Sequence, residues 1–209
     1  MPQHSAAAPH KLLLASSSTY RRALLDRLGI AFACKSPDVD ETRQPGESAE
    51  TLVVRLAQMK AKALSHEFHN HLIIGSDQVA CVAGTVLGKP GTAAKACEQL
   101  AMLSGQTVHF YTGLALLNPE TNRLQSAMDT TDVVFRDLTT DEIEAYVERE
   151  QPLDCAGSFK SEGLGVALFQ RIATDDPAAL IGLPLVKLCE MLRAEGLNPL
   201  TSPPDTPEN

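Results

Sequence analysis

The hydrophobic residues of this chain occur in short apolar runs that alternate with stretches showing a repeat of three to four residues. Residues 11–15 form the first run, three serines follow, and helical spacing then covers residues 20–28 up to Gly29. This order predicts a strand, a polar loop and a helix. Residues 48–67 carry a longer apolar stripe, which predicts a second helix.

The middle of the chain is rich in the residues that favour strands. Strands are predicted at residues 72–82 and 107–117, with a helix at residues 92–103 between them. Residues 118–122 (NPETN) predict a hairpin turn that leads into a strand at residues 130–135. A hairpin among alternating helices and strands indicates an α/β protein whose sheet is not purely parallel.

The C-terminal third predicts a helix, a strand and a final helix. Residues 139–150 begin with a hydroxyl cap and acidic first-turn residues, and a proline follows them. Residues 164–171 are largely apolar and predict a buried strand. Residues 176–195 predict the last helix, with a break near Gly182 and Pro184.

Composition and charge narrow the classes of protein to which the chain can belong. With 209 residues, 44% of them hydrophobic, we expect one domain at residues 11–200 between disordered ends at residues 1–10 and 201–209. The net charge of −8 disfavours binding to polymeric nucleic acid, although a few cations in one pocket suffice for a small anion. No apolar run approaches the roughly 20 residues of a membrane span, and the five cysteines form no CxxC pair. We therefore expect a soluble cytoplasmic protein with reduced thiols.

The serine-rich loop after the first strand is a candidate phosphate site. Ser16 and its neighbours would bring hydroxyls, free backbone N–H groups and the positive end of a helix dipole together. Arg21 or Arg22 would add a planar guanidinium that binds phosphate at two points. A serine-capped helix with surface arginines has the same local pattern.

Asp77 is a candidate catalytic carboxylate because it lies in the strongly apolar segment LIIGSDQVA. Its burial requires a compensating cation or hydrogen bonds. It could bind a metal ion, accept a proton from an attacking water, or cap a turn beside Gly75 and Ser76. Glu41, in the acidic segment PDVDE, could give a hard cation a second oxygen ligand, although such a segment is often a solvated loop.

Two lysines and one loop are further candidates. Lys89 lies in a short Gly-Lys-Pro loop and offers a mobile charge for phosphate, although an ordinary surface lysine fits the pattern too. Lys60 continues the buried stripe of its predicted helix, whereas Lys62 faces elsewhere, so Lys60 is the candidate for a pocket shared with Asp77. A lysine that extends from the edge of the core to water fits the same position equally well. Residues 155–163 (CAGSFKSEG) have the composition of a loop that contacts a polar ligand, or simply of a solvated loop.

Taken in order, these motifs resemble the Maf family of nucleotide pyrophosphatases. The resemblance covers about residues 11–200, through ASSSTYRR, VDE, RLAQMKAKAL, IIGSDQV, LGKP, FYTG, CAGSFKSEG and IGLP. It implies an elongated mixed β-sheet flanked by helices, with two lobes around a cleft, as in Maf and inosine triphosphatase-like proteins. It also implies a hydrolase that uses a divalent cation (magnesium, manganese or cobalt) to cleave nucleoside triphosphates between the α and β phosphates, and it makes a homodimer plausible.

The resemblance assigns roles to individual residues. It implies that Asp77 is the catalytic proton acceptor and that Glu41 is the second acidic residue, both being candidate metal ligands. Four other positions match residues that face phosphate, namely Ser16, Arg21, Lys60 and the catalytic Lys89.

Three positions bear on the base that is recognised. Family members selective for dTTP and UTP usually carry Arg, Thr and Gln where this chain has Tyr20, Gln78 and Glu162. The branch that acts on 7-methyl-GTP carries an aromatic residue, Gln and Glu, and this chain resembles that branch. An aromatic face and a carboxylate would both favour a purine that is positively charged by methylation at N7. Tyr20 is a smaller aromatic surface than the Trp that is common there.

Two other functions fit the same motifs. One is a house-cleaning pyrophosphatase for deaminated or other triphosphates, including pyrimidines, which base selectivity would reveal. The other is a non-catalytic nucleotide-binding regulator of septation. Asp77, Glu41 and Lys89 argue against a regulator, because binding alone has no use for a carboxylate that activates water.

Overall fold

Seven strands form one mixed sheet in the computed structural model, which describes residues 11–201. In chain order the strands are β1 (Lys11–Leu14), β2 (Phe32–Cys34), β3 (His71–Val82), β4 (Thr85–Leu87), β5 (Thr107–Asn118), β6 (Arg123–Phe135) and β7 (Phe169–Ala173). The order across the sheet is β2-β1-β3-β5-β6-β7, and β4 pairs with β3. Strand β1 runs parallel to β2 and β3, whereas the other pairs are antiparallel. The predicted mixed sheet is confirmed.

Five α-helices within residues 11–201 flank this sheet. They are α1 (Thr19–Asp26), α2 (Ala49–Ala63), α3 (Ala93–Leu103), α4 (Thr140–Glu150) and α5 (Leu185–Ala194). The first four begin where a side-chain hydroxyl accepts a hydrogen bond from a first-turn N–H, and the capping residues are Ser18, Ser48, Thr92 and Thr139. None of the described helices combines the length and apolar character needed to cross a bilayer.

Several predicted elements differ from the structure. The strand predicted at residues 164–171 is correct only for residues 169–171, because residues 164–168 form a 3-10 turn. The predicted burial is wrong, since the side chains of β7 are exposed or half-exposed. The helix predicted at residues 176–195 is a 3-10 turn at Ala179–Ile181 followed by α5, so the predicted break near Gly182 and Pro184 is confirmed. The positive φ of 123° at Gly182 ends the turn before Pro184.

Some predicted boundaries also moved. Helix α2 ends at Ala63, earlier than predicted, and β6 begins at Arg123, well before residue 130. The three-residue strands β2 and β4 were not predicted, because so short a segment shows no periodicity. The predicted disordered ends lie outside the described residues, except for Thr201.

The long strand β3 crosses two lobes with separate cores. Its first part, at residues 72–74, packs with β1, α1 and α5 on one face and with α2 on the other. Its last part, at residues 80–82, packs with α3, α4 and β4 in the other core. Residues 75–79 therefore lie between the cores, and this segment contains Asp77.

Candidate active site

A cavity of about 750 Å³ lies where β3 passes between the two lobes. This volume is in the range of sites for small molecules. The residues that line it include all nine candidates from the sequence, namely Ser16, Tyr20, Arg21, Glu41, Lys60, Asp77, Gln78, Lys89 and Glu162. Widely separated segments of the chain thus meet at one cleft, while the roles of these residues stay predictions.

Lys60 connects the two candidate carboxylates. Its Nζ lies 2.6 Å from Asp77 Oδ1 and 2.7 Å from Glu41 Oε1. The Asp77 side chain is only 10% exposed, whereas that of Glu41 is 59% exposed, so one carboxylate lies at the floor of the cleft and the other at its rim. Burial raises the pKa of Asp77, and the charges of Lys60 and Arg21 act in the opposite direction.

Two glycines allow α2 to bring Lys60 this close to the sheet. A Cβ on Gly75 of β3 would lie 2.1 Å from the carbonyl oxygen of Ala57, and one on Gly113 of β5 would lie 2.2 Å from that of Val53. Any side chain at these positions would push the helix backbone away from the sheet. The close contact therefore sets the depth at which Lys60 meets Asp77.

The loop that carries Glu41 is fastened to α2 by Arg55. The Arg55 guanidinium donates to both carboxylate oxygens of Glu47, at 2.6 and 2.8 Å, and to the carbonyl of Thr42 at 3.1 Å. The Arg55 side chain lowers the pKa of Glu47 to about 2, mainly through these hydrogen bonds. Because Lys60 follows on the same helix, both partners of the Glu41–Lys60 ion pair are held by α2.

The serine loop caps α1 and lines the cleft at the same time. Ser18 Oγ accepts from the N–H of Arg21, and Ser16 Oγ accepts from the N–H of Ser18. Among the described residues, the N–H groups of Ser17 and Thr19 have no protein partner. Both sequence interpretations of this loop are therefore compatible with the structure.

Arg21, and not Arg22, is the arginine that lines the cleft. Its Nε donates to the carbonyl oxygen of Gly182 at 2.8 Å, which fixes the guanidinium plane. Burial lowers the pKa of Arg21, while Asp77 and Glu41 act in the opposite direction. Arg22 is exposed and does not line the cavity.

Lys89 is exposed at the cleft just after β4, and among the described residues it has no ion-pair partner. The other lysine of the candidate loops, Lys160, is instead used structurally, because its Nζ donates to the carbonyl of Glu150 at 2.8 Å. Lys89 is thus an available cation at the cleft, whereas Lys160 is not.

The sequence matches the family of Maf-like proteins over residues 11–195. The chain belongs to the Maf family. A solved structure, that of the Staphylococcus aureus Ham1 protein, is also similar, with 16% sequence identity, a TM-score of 0.45, and coverage of 73% of this chain and 88% of that one. The assignment rests on the family match alone, and it supports a function of the nucleotide pyrophosphatase type.

The part of the Maf cleft around Tyr20 combines aromatic and acidic groups. Tyr20 is half-buried there, and its pKa is raised mainly by burial and further by Cys155, Asp154 and Glu162. Burial likewise raises the pKa of Cys155 to about 12, so this thiol stays protonated at neutral pH. Asp154 was not a candidate from the sequence, because nothing local separates it from a solvated loop residue.

A second set of residues missed by the sequence is the backbone of residues 179–182. The carbonyl of Gly182 accepts from Arg21 Nε and from Ser76 Oγ, at 2.8 and 2.9 Å. The carbonyls of Ala179 and Leu180 accept from Gln78 Nε2. Sequence reasoning could not find these groups, because a carbonyl group is common to every residue; only the IGLP motif marks the segment.

The carboxylates of this Maf cleft fit a divalent cation that arrives with a nucleotide. Asp77 and Glu41 provide hard oxygen ligands that converge on one point, the Lys60 ammonium. Among the described residues, no three His, Cys, Asp or Glu side chains form a cluster that could enclose a metal. Magnesium is commonly bound by one or two carboxylates together with substrate phosphates, and this donor set suits that mode.

Proposed function

We propose that this Maf protein hydrolyses nucleoside triphosphates between the α and β phosphates, releasing a nucleoside monophosphate and pyrophosphate, and that it prefers 7-methyl-GTP. The observation that carries the proposal is the buried Asp77 carboxylate at the floor of a cleft, with the Lys60 and Arg21 cations beside it. A buried carboxylate with a raised pKa is a stronger base than one in water. The cations attract the triphosphate to the same place.

In the proposed reaction Asp77 accepts a proton from a water molecule. The water oxygen bonds to the α phosphorus, the bond from that phosphorus to the bridging oxygen breaks, and pyrophosphate leaves with the bonding electrons. Arg21, Lys60 and Lys89 stabilise the negative charge that develops on the phosphate oxygens. Ser16 and the free N–H groups of its loop bind a phosphate at the start of α1.

Asp77 and Glu41 would hold the divalent cation together with the substrate phosphates. When bound, magnesium, manganese or cobalt neutralises phosphate charge and polarises the phosphorus–oxygen bonds. In the nucleotide-free protein, Lys60 forms an ion pair with both carboxylates and so reduces the repulsion between them.

The preference for 7-methyl-GTP rests on the acidic and aromatic end of the cleft. Methylation at N7 makes the purine positively charged, which favours stacking on Tyr20 and proximity to carboxylates. Burial is the main cause of the raised pKa of Tyr20, and Asp154 and Glu162 raise it further, so both carboxylates act on this side chain. An uncharged base would gain less from the same surroundings.

The test is pyrophosphate release from a panel of canonical, deaminated and 7-methylated triphosphates, each with magnesium, manganese or cobalt and with a chelator control. Metal-dependent turnover with the highest kcat/KM for 7-methyl-GTP supports the whole proposal. Preference for dTTP, UTP or ITP would retain the reaction and refute the base assignment. Tight nucleotide binding without any pyrophosphate release would refute the reaction and favour a regulator.

The base assignment has its own matched variants. Tyr20→Leu and Glu162→Gln should each lower the kcat/KM ratio of 7-methyl-GTP to GTP, by about threefold to tenfold. Glu148→Gln, an exposed position on α4 outside the cleft, is the control and should leave that ratio unchanged. An unaltered ratio in both cleft variants would contradict the assignment.

A further inference from the structure

The amide nitrogen of Gln78 is held by three acceptors. The two hydrogens of Gln78 Nε2 are shared among the carbonyl of Ala179 at 2.8 Å, that of Leu180 at 3.1 Å, and Thr112 Oγ1 at 3.0 Å. Thr112 is opposite Gln78 in the pairing of β3 with β5, so both side chains leave the same face of the sheet. The position of the Gln78 amide is thus fixed by two backbone carbonyls and one hydroxyl.

These partners determine which way the amide faces. Backbone carbonyls can only accept hydrogen bonds, so the nitrogen, and not the oxygen, must face Ala179 and Leu180. Thr112 Oγ1 donates its own hydrogen to the carbonyl of Ala179 at 3.0 Å. The lone pairs of Thr112 Oγ1 therefore accept from Gln78 Nε2. If the amide were flipped, Gln78 Oε1 would instead face the carbonyl oxygens of Ala179 and Leu180 and the oxygen of Thr112, and all three act as acceptors here.

The other end of the amide is left for a ligand. Gln78 lines the cleft, and among the described residues no group donates to its Oε1. Thr112 is 1% exposed and lies behind Gln78, where a nucleotide would not touch it. Gln78 therefore presents a fixed hydrogen-bond acceptor to the cavity.

The carbonyls that hold Gln78 are themselves fixed. Asp176 is 2% exposed, and its carboxylate accepts from the N–H groups of Ala178 at 3.0 Å and Val186 at 2.6 Å. These two bonds close the segment that contains Ala179 and Leu180. The orientation of the amide is thus set before any ligand binds, which reduces the entropy lost on recognition.

We propose that Gln78 Oε1 accepts a hydrogen bond from a ring N–H of the nucleobase, and that Thr112 is the positioning residue that keeps this acceptor turned to the cleft. The ligand class is nucleotides whose base has a ring N–H next to a carbonyl, as guanine, hypoxanthine and uracil do. Adenine and cytosine present a ring acceptor at that position, which would leave two acceptors facing each other. The inference rests on the proposed function, since the base must lie beside Gln78.

The test compares matched nucleotide pairs with the wild type, Thr112→Val and Thr112→Ser. ITP against ATP, and UTP against CTP, differ at the ring nitrogen and its neighbouring group. The wild type should favour ITP and UTP by about tenfold or more in kcat/KM. Thr112→Val removes the hydroxyl at similar volume and should reduce both ratios by about threefold to tenfold, mainly through KM, while kcat for ITP stays near that of the wild type.

Thr112→Ser keeps the hydroxyl and should retain both ratios, so it separates the hydrogen bond from packing even if Thr112→Val folds poorly. Equal ratios in wild type and Thr112→Val, or altered ratios in Thr112→Ser with normal thermal stability, would overturn the inference. If the wild type releases no pyrophosphate from any nucleotide, the proposed function fails on its own. Dissociation constants for the same nucleotide pairs in the wild type and Thr112→Val, measured by calorimetry, then test independently whether Gln78 favours a base with a ring N–H.

Discussion

Lys60 Nζ lies 2.6 Å from Asp77 Oδ1 at the floor of the cleft, and both side chains are about nine-tenths buried. A buried cation beside a buried carboxylate lowers the cost of keeping the carboxylate ionised. It does not remove that cost, because the pKa of Asp77 remains raised despite Lys60. Burial thus makes Asp77 more basic than a carboxylate in water, and this favours proton abstraction from water.

Replacing Asp77 with asparagine tests this role directly. Asp77→Asn keeps the size of the side chain and removes its basicity, so kcat for pyrophosphate release should fall by about a thousandfold. Much of the nucleotide affinity should persist, because the phosphate-facing cations remain. Stopped-assay kinetics and calorimetry measure the two quantities. Asp132→Asn, at a partly exposed carboxylate outside the cleft, is the matched control, and normal turnover in Asp77→Asn would sink the proposed role.

The pH dependence of turnover should follow the same pair. A base must be deprotonated, so kcat/KM should fall as the pH drops through the raised pKa of Asp77. Lys60 is the main influence that lowers this pKa, and Lys60→Met should move the acidic limb to higher pH. Lys60→Arg keeps the charge and should restore most of the shift. The measurement is a profile of kcat/KM against pH; an acidic limb at the same pH in Lys60→Met would show that another group controls it.

The sequence predicted those residues of the site whose side chains are charged and lie where burial of a charge needs an explanation. Asp77 stood out because a carboxylate in an apolar strand needs a reason, and Lys60 because it continued a buried stripe. The carbonyls of residues 179–182 and the buried hydroxyl of Thr112 carry no such signal. Their part in orienting Arg21 and Gln78 depends on tertiary contacts, which a local pattern does not record.

The fold was predictable where periodicity was long or a cap was clear. The capping box at Thr139 and Glu142 marked the start of α4, and the structure contains both of its hydrogen bonds. Residues 164–171 misled because an apolar segment can equally be a buried strand or a compact turn. Gly165 decides between these, since a Cβ there would lie 2.3 Å from the carbonyl oxygen of Lys160. That contact lies within one compact turn and leaves no periodic trace in the sequence.

Gly75 should be intolerant of even a methyl group. In Gly75→Ala the added Cβ would lie 2.1 Å from the carbonyl oxygen of Ala57, so α2 must move away from β3. The free energy of unfolding should fall by about 2–3 kcal/mol, and turnover should fall as Lys60 loses its contact with Asp77. Urea denaturation measures the first effect. Gly88→Ala, which meets nothing within 4 Å, is the control for stability, and equal losses in both variants would contradict the packing argument.

Removing divalent cations should abolish turnover without weakening the fold. The two carboxylates of the cleft already share the Lys60 ammonium, and no enclosing cluster of potential metal ligands occurs among the described residues. A chelator should therefore stop pyrophosphate release reversibly while leaving the melting temperature of the nucleotide-free protein unchanged. A clear fall in that temperature would instead indicate a structural metal.

The Glu47–Arg55 ion pair should make stability depend on acid pH in a defined direction. Arg55 lowers the pKa of Glu47 from 4.5 to about 2 in the folded protein. The carboxylate therefore contributes stability above its unfolded pKa, and this contribution is lost as the pH falls through the folded pKa. Glu47→Gln should be less stable than the wild type at pH 7, and the difference should shrink as the pH drops from about 4.5 to about 2. Urea denaturation at a series of pH values measures this difference in unfolding free energy, and the contributions of the other carboxylates are the same in both proteins.

Glu98→Gln, an exposed position on α3, is the control, and its stability difference from the wild type should not change with pH in this way. A stability difference for Glu47→Gln that does not change with pH would refute the role of the Glu47–Arg55 ion pair.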